Sequence, residues 1–161
     1  MPDERSVLVF QVSGEAFALP LEEVQEIVPA AALLKPPGLP TVLEGILNLG
    51  GIAVPVLAIN RLLGLPDQSL SLYAALVVLR NPGALLVEAA DRIVSITTDR
   101  FLPIPSNHSF NDCAVAEILV EDRTVHVLSR ERLLLEKEHR AIAELQAMAQ
   151  QRLQDLMEQQ A

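Results

Sequence analysis

The sequence predicts a mainly β protein built from two related small barrels and ending in a long α-helix. The order strand, turn, strand, amphipathic segment occurs twice, near residues 7–28 and near residues 73–96. This weak internal symmetry is typical of two related structural units. Between the two units, a pair of apolar runs flanks Gly50-Gly51, and after Ser129 apolar residues recur at steps of three or four.

The first unit begins with two runs that favour β-strands, residues 7–12 and 16–20, separated by a Ser-Gly-Glu turn. In residues 21–28 the apolar side chains fall at helical spacing, with glutamates opposite them. This pattern predicts a short amphipathic helix that Pro29 ends. The proline-rich residues 30–41 predict a stiff loop.

The central stretch, residues 43–64, predicts a tight hairpin. Adjacent glycines between the apolar runs 46–49 and 52–59 can both adopt positive φ without a steric clash. Pro55 has no amide hydrogen, so the second strand is expected to lie at a sheet edge or to carry a bulge. A single helical turn follows, with Asn60 expected as its N-cap and Gly64 as its stop.

The second unit begins with a continuous apolar run at residues 73–79, which predicts a buried strand. After an Asn-Pro-Gly turn the chain returns over residues 84–88, and residues 89–96 repeat the amphipathic segment. A loop over residues 100–112 precedes a last predicted hairpin, formed by residues 113–120 and 124–128.

The chain is expected to become helical from Ser129 onwards. The apolar stripe of this helix comprises Leu135, Ile142, Leu145, Ala149, Leu153 and Leu156. Because Arg152 interrupts the stripe, packing on the domain is favoured over a regular coiled coil.

Composition restricts the function classes. The chain has 161 residues, enough for one compact domain, and its single cysteine suits a reducing cytosol. The net charge of −9 disfavours nucleic acids and anionic membrane surfaces as partners. The N-terminus does not resemble a signal peptide, and the apolar runs are too short to span a membrane.

The residues that carry chemistry do not form a convincing constellation. The three histidines, His108, His126 and His139, lack metal-site spacing. His126 alternates with valines and is expected to face solvent, and Cys113 is expected to be a small buried hydrophobe. A triad of His108 with Ser106 or Ser109 and Asp112 is conceivable, but the chain lacks a Gly-x-Ser-x-Gly elbow. The sequence therefore predicts a binding protein with no catalytic residue, metal or cofactor.

The central stretch resembles the signature of the CheW family, the adaptor proteins of bacterial chemotaxis arrays. Five residues match that signature, namely Gly45, Asn48, Leu49, Gly51 and Pro55, as does the short predicted helix over residues 60–64. Val24-Gln25-Glu26-Ile27 also fits the family's Val-x-Glu-Ile segment. Two departures stand out. Gly50 replaces the arginine of the family's Asn-Leu-Arg-Gly motif, and Ala58-Ile59-Asn60 replaces a Val-Asp-Leu type of turn. The resemblance covers about residues 5–135 and leaves the C-terminal helix, within residues 129–161, unexplained.

This resemblance implies two interleaved five-stranded barrels of SH3 type, packed together. It also implies a non-enzymatic cytoplasmic adaptor, recruited to inner-membrane receptor arrays. The implied partners are the regulatory domain of a CheA-type histidine kinase and the tip of a chemoreceptor's cytoplasmic helical hairpin. Val24, Glu26, Leu49 and Gly50 correspond to the receptor-side region, and Gly45, Ile46 and Asn48 to the hairpin that shapes the interfaces. For Ile46 and Leu49, plain packing is the stronger expectation.

Two alternatives stay open at the level of sequence. An adaptor of a type IV pilus pathway or another alternative chemosensory pathway would fit the unusual Gly50 and the long C-terminal helix. A small β-barrel hydrolase or ligand-binding enzyme would instead require clustered polar groups in one pocket and a perturbed pKa.

Overall fold

A computed structural model describes residues 3–80, 83–105, 110–134 and 136–159. These residues form eleven strands and two α-helices. The strands are β1 (Glu4–Val12), β2 (Glu15–Pro20), β3 (Val24–Pro29), β4 (Leu43–Leu49), β5 (Ile52–Leu57), β6 (Ala75–Leu79), β7 (Ala84–Val87), β8 (Ala89–Thr97), β9 (Leu102–Pro103), β10 (Ala114–Val120) and β11 (Arg123–Leu128). The helices are α1 (Ile59–Leu62) and α2 (Glu136–Gln159).

The strands form two sheets, as the predicted pair of barrels requires. One sheet has six strands in the order β8-β1-β2-β11-β10-β9, and the other has five in the order β3-β6-β7-β5-β4. The first sheet exceeds the predicted five strands because the two-residue strand β9 pairs with β10. That strand lies in the segment from 100 to 112 that was expected to be only a loop.

The amphipathic segment of each sequence repeat is a third strand, β3 in the first repeat and β8 in the second. The two repeats exchange these third strands. In the first repeat β1 pairs with β2, but β3 pairs with β6 of the other sheet. In the second repeat β6 pairs with β7, but β8 pairs with β1. Each sheet therefore contains strands from both repeats.

Each sheet curls around its own apolar cluster. In the six-stranded sheet, Ile96 of β8 and Ile118 of β10 belong to one cluster although β1, β2 and β11 separate their strands. In the five-stranded sheet, Val28 of β3 packs against the cluster that contains Leu47 of β4. Among the described residues, no hydrogen bonds join β8 to β9 or β3 to β4, so neither sheet closes into a barrel.

A third and larger cluster lies between the sheets. Phe10 and Phe17 from the first sheet meet Val77 and Leu85 from the second in this cluster, and all four are fully buried. Strands that bury both faces are continuous apolar runs in sequence, which explains the pattern of β6. The buried strand predicted over residues 73–79 begins only at Ala75, and Tyr73 before it is 73% exposed.

The two predicted amphipathic helices are wrong, because both segments are strands. Only Leu21–Glu23 forms one 3-10 turn before β3. The helix-like spacing arises from β-bulges at the same place in each repeat, between Val24 and Glu26 in β3 and opposite Val9 and Phe10 in β8. A bulge adds a residue and reverses the faces beyond it, so the two-residue period is lost. Val24 accordingly joins the cluster between the sheets, whereas Val28 joins the interior of the five-stranded sheet.

Two predictions for the central stretch also need correction. Strand β5 is not an edge strand, since β7 and β4 lie on either side of it. It carries no bulge at Pro55 either, because the irregularity of this hairpin lies in β4, between Leu43 and Gly45. Pro55 is tolerated because the pairing of β7 with β5 begins one residue later, at Val56. Asn60 does not cap α1. It lies inside the helix, 3% exposed, and donates a 3.4 Å hydrogen bond to the carbonyl oxygen of Pro66. Gly64 ends this turn as predicted, at φ +73°.

The three hairpins β1–β2, β4–β5 and β10–β11 form where the sequence predicts them. The 81–83 turn falls mostly outside the described residues, as does Leu135. Helix α2 begins at Glu136 rather than at Ser129, after a separate 3-10 turn at Arg130–Arg132.

Candidate functional site

The tip of the β4–β5 hairpin is a two-residue turn that protrudes from the five-stranded sheet. Gly50 and Gly51 have φ values of +60° and +90°, which glycine adopts without strain. The Asn48 side-chain oxygen accepts a 2.8 Å hydrogen bond from the Gly51 amide, and this bond stabilises the turn. Among the residues that the structure describes, no atom beyond the chain neighbours lies within 4 Å of the position that a Cβ at Gly50 would occupy. Gly50 is thus an open point on the surface.

The base of the same hairpin, called its root below, is tightly packed and leaves no room for larger side chains. A Cβ on Gly45 would lie 2.8 Å from both the Leu33 Cβ and the Leu34 carbonyl oxygen. Leu34 and Ile46 exchange two backbone hydrogen bonds of 2.8 Å, which holds the 30–41 loop along β4. Ile46 is fully buried, beside Ala53 and Leu153. Gly45 and Ile46 therefore shape the hairpin from within.

The predicted receptor-side residues divide between core and surface. Val24 is 5% exposed and packs between the sheets, whereas Glu26, two residues later, is exposed on β3. Leu49 is half-buried against the same cluster as Val28 of β3. Of the four predicted receptor-side residues, three are accessible to solvent: Glu26 and Gly50 are exposed, and Leu49 is partly exposed.

Helix α2 covers the side of β5 that faces away from β4. Gln146 donates a 3.0 Å hydrogen bond to the Ala53 carbonyl oxygen, and the Gln150 side-chain oxygen accepts a 2.8 Å bond from the Ala53 amide. Gln150 also donates to the Gly51 carbonyl oxygen at 2.9 Å. Two glutamines one turn apart therefore take the place of a neighbouring strand before β7 begins. Sequence reasoning missed them, because glutamine on a helix is ordinarily a solvated residue.

The apolar stripe of α2 meets the hairpin only in part. Ile142 and Leu153 are buried, and Leu145 and Ala149 pack around Ile46. Leu156 is 55% exposed, so the predicted stripe does not continue to the end of the helix. The predicted packing of α2 on the domain is confirmed.

The side chains of Cys113 and Asp112 are not free to act as catalytic groups. Cys113 is 2% exposed, and burial is the main cause that raises the pKa of its thiol to about 11, with a further increase from Asp112 and a partial decrease from Arg132. A thiol of that kind is not a nucleophile near neutral pH. Asp112 lies 3.4 Å from an Arg132 guanidinium nitrogen. The conceivable triad is not tested, since Ser106, His108 and Ser109 lie outside the described residues.

His126 does not face open solvent, contrary to expectation. Its ring lies edge-on to Phe110, with 4.8 Å between the ring centroids, and 6.3 Å from the ring centroid of Phe17. Its Nε2 atom is 3.6 Å from a Glu117 carboxylate oxygen. Within the described ranges, no three His, Cys, Asp or Glu side chains are grouped so that they could hold a metal ion. Across the same ranges, no helix has both the length and the apolar character needed to cross a bilayer.

Comparisons with known proteins agree on one family. The model of the CheW-like domain matches residues 6–138, which span both sheets. A probable chemotaxis protein CheW of Rhizobium etli is 26% identical over 146 residues, covering 86% of this chain and 92% of the relative. The chemotaxis protein CheW of Bacillus subtilis is 19% identical over 136 residues, covering 82% and 87%. The crystal structure of the scaffolding protein TtCheW of Thermoanaerobacter tengcongensis is similar in fold, with a TM-score of 0.77 and 21% identity over 84% of this chain and 90% of that one.

Proposed function

The chain belongs to the CheW-like domain family, and on that premise we propose that it is a non-enzymatic adaptor that couples chemoreceptors to a CheA-type histidine kinase in a chemotaxis-like array. The match of the family model across both sheets is the observation that carries this proposal. Such an adaptor acts in the cytoplasm and is recruited to receptor arrays at the inner membrane. The kinase's regulatory domain and the receptor's hairpin tip are the partners that we propose.

We place the receptor contact at Glu26, Leu49 and Gly50. Glu26 offers an exposed carboxylate, Leu49 a partly accessible apolar side chain, and Gly50 a bare backbone. Val24 supports this surface from the core by fixing the start of β3, and Gly45, Ile46 and Asn48 hold the β4–β5 hairpin in shape. Arginine side chains often dominate interfaces, so glycine in place of the family arginine predicts a weaker receptor contact.

The experiment is a binding assay with the purified full chain, a CheA-type regulatory domain and a peptide of the receptor hairpin tip. We expect stoichiometric binding of both partners, and Glu26→Lys is expected to weaken receptor binding alone. Glu15→Lys is the matched control, because Glu15 is also an exposed strand carboxylate but lies on the other sheet. Absence of binding to both partners would overturn the proposal.

An adaptor of a type IV pilus pathway or another alternative chemosensory pathway is the second candidate. The open Gly50 turn and the α2 helix beyond residue 138, where the family match ends, favour it. Gly50→Arg distinguishes the two. A large gain in affinity for a chemoreceptor tip indicates a chemotaxis adaptor with a weakened contact, whereas an unchanged affinity indicates a different receptor class.

The hydrolase alternative has little support. Family membership argues against it, and the buried Cys113 thiol and the ring-packed His126 supply neither a nucleophile nor an open general base.

A further inference from the structure

We propose that the groove between α2 and the 30–41 loop is a second docking surface, which accepts an acidic amphipathic helix of a protein partner. This groove, called the α2 groove below, encloses about 430 Å³. Its lining consists of Leu34, Lys35, Pro36, Pro37, Ile46, Leu145, Met148, Ala149, Arg152, Leu153 and Leu156. The inference does not depend on the proposed function, since α2 lies almost entirely beyond the part of the chain that matches the family.

The α2 groove is strongly apolar and open to solvent. Leu34, Met148 and Leu156 are 49%, 58% and 55% exposed. Exposed apolar patches that are rimmed by polar groups mark interaction sites. Methionine adapts its shape to different apolar partners, which suits a docking wall.

The walls of the α2 groove are already in place. Pro36 and Pro37 have fixed φ angles, and the hydrogen bonds of Leu34 with Ile46 tie this loop to β4. On the opposite wall, α2 is held by its two glutamines. A preformed surface loses little conformational entropy on binding.

The dimensions fit a helix. From Leu145 to Leu156, α2 advances about 16 Å at 1.5 Å per residue, which is the length of about three helical turns. A partner helix lying along α2 would place apolar side chains at positions i, i+3, i+4 and i+7 into the floor formed by Ile46 and Leu153.

The charge of the rim selects an acidic partner. Lys35 and Arg152 lie on the two walls, and among the described residues neither has an acidic partner within 4 Å. The whole chain carries a net charge of −9 with only 12 lysines and arginines. Lys35 and Arg152 are thus positive charges at the rim of an apolar groove on a predominantly acidic protein, and they would attract and orient carboxylates on the flanks of a bound helix.

The test uses two synthetic helical peptides with the same leucine stripe, one flanked by glutamates and one by lysines. Fluorescence anisotropy with the full chain is expected to detect binding of the glutamate peptide only. Arg152→Glu is expected to raise its dissociation constant about tenfold or more. Arg100→Glu, the same charge reversal at an exposed residue outside the groove, is the matched control and is expected to leave the dissociation constant unchanged.

The Lys35→Glu/Arg152→Glu double variant is expected to exchange the preference and bind the lysine peptide. The proposal is overturned if the wild-type chain binds both peptides equally or neither of them. It is also overturned if sedimentation shows a dimer that Met148→Asp abolishes, since a second copy would then occupy the groove. Circular dichroism of each variant separates a lost contact from a lost fold.

Discussion

At the root of the β4–β5 hairpin, Gly45 and Ile46 are enclosed by Leu33, Leu34 and Leu153, whereas at its tip Asn48 and Gly50 are surrounded by solvent. The same hairpin therefore contains enclosed positions, where an added methyl group would clash, and open positions, where space is free. The root supports the fold, and the tip is free to diverge toward a partner.

The largest effect is expected from Ile46→Ala. Removing a fully buried isoleucine leaves a cavity beside Leu153 and Ala53, so we expect the free energy of unfolding to fall by about 4 kcal/mol. Urea denaturation measures this change. Ile52→Ala on the same hairpin is the control, because Ile52 is 58% exposed and its truncation should change stability by less than about 0.5 kcal/mol. Equal losses in both variants would contradict the division into root and tip.

Gly45→Ala is expected to follow, with a loss of about 3 kcal/mol. The new methyl group would lie 2.8 Å from the Leu33 Cβ and the Leu34 carbonyl oxygen, so the loop must move away from β4. Thermal unfolding, together with loss of amide-exchange protection at Leu34 and Ile46, measures the effect. Retained protection at these two amides would show that the loop adjusts without strain.

The same substitution at the tip, Gly50→Ala, is expected to lower stability by only about 1 kcal/mol. Space is free there, and the loss reflects the positive φ of +60° alone. The pair Gly45→Ala and Gly50→Ala thus makes one chemical change in two environments. If the tip variant were the less stable of the two, the comparison would be wrong.

Asn48→Ala is expected to have the smallest effect, about 0.5 kcal/mol. It removes the exposed hydrogen bond from the Gly51 amide and leaves that amide to water. Asn48→Asp, which keeps an acceptor oxygen, should retain the stability of the wild-type chain. Denaturation curves of the two variants, measured side by side, separate the lost hydrogen bond from a general sensitivity of the position.

Local signals allowed the hairpins to be predicted, because Gly50-Gly51 carries its turn preference in two adjacent residues. Nonlocal contacts were not predictable in this way. The bulges of β3 and β8 made strands look like helices, since the pattern of apolar residues records burial and not hydrogen bonding. The steric role of Gly45 depends on a loop eleven residues earlier, and the bonds of Gln150 span about a hundred residues.

The candidate site shows the same limit. The resemblance selected Val24 and Glu26 together because both belong to the Val-x-Glu-Ile segment, and the bulge between them leaves one in the core and the other in solvent. The α2 groove left no sequence signal, because Leu34 and Met148 are more than a hundred residues apart and each is ordinary in its own segment.

The exchange of third strands has a consequence for synthesis on the ribosome. The hairpin β1–β2 leaves the exit tunnel first, but its two flanking strands, β8 and β11, end only at residues 97 and 128. At about 5 to 20 residues per second, the chain waits roughly 5 to 20 seconds between residue 20 and residue 128. Until residue 97 has emerged both borders of the nascent hairpin lack backbone partners, and until residue 128 the β2 border still lacks one, which leaves an open strand edge that can pair with other chains. No premature termination product that ends before β11 can complete the six-stranded sheet.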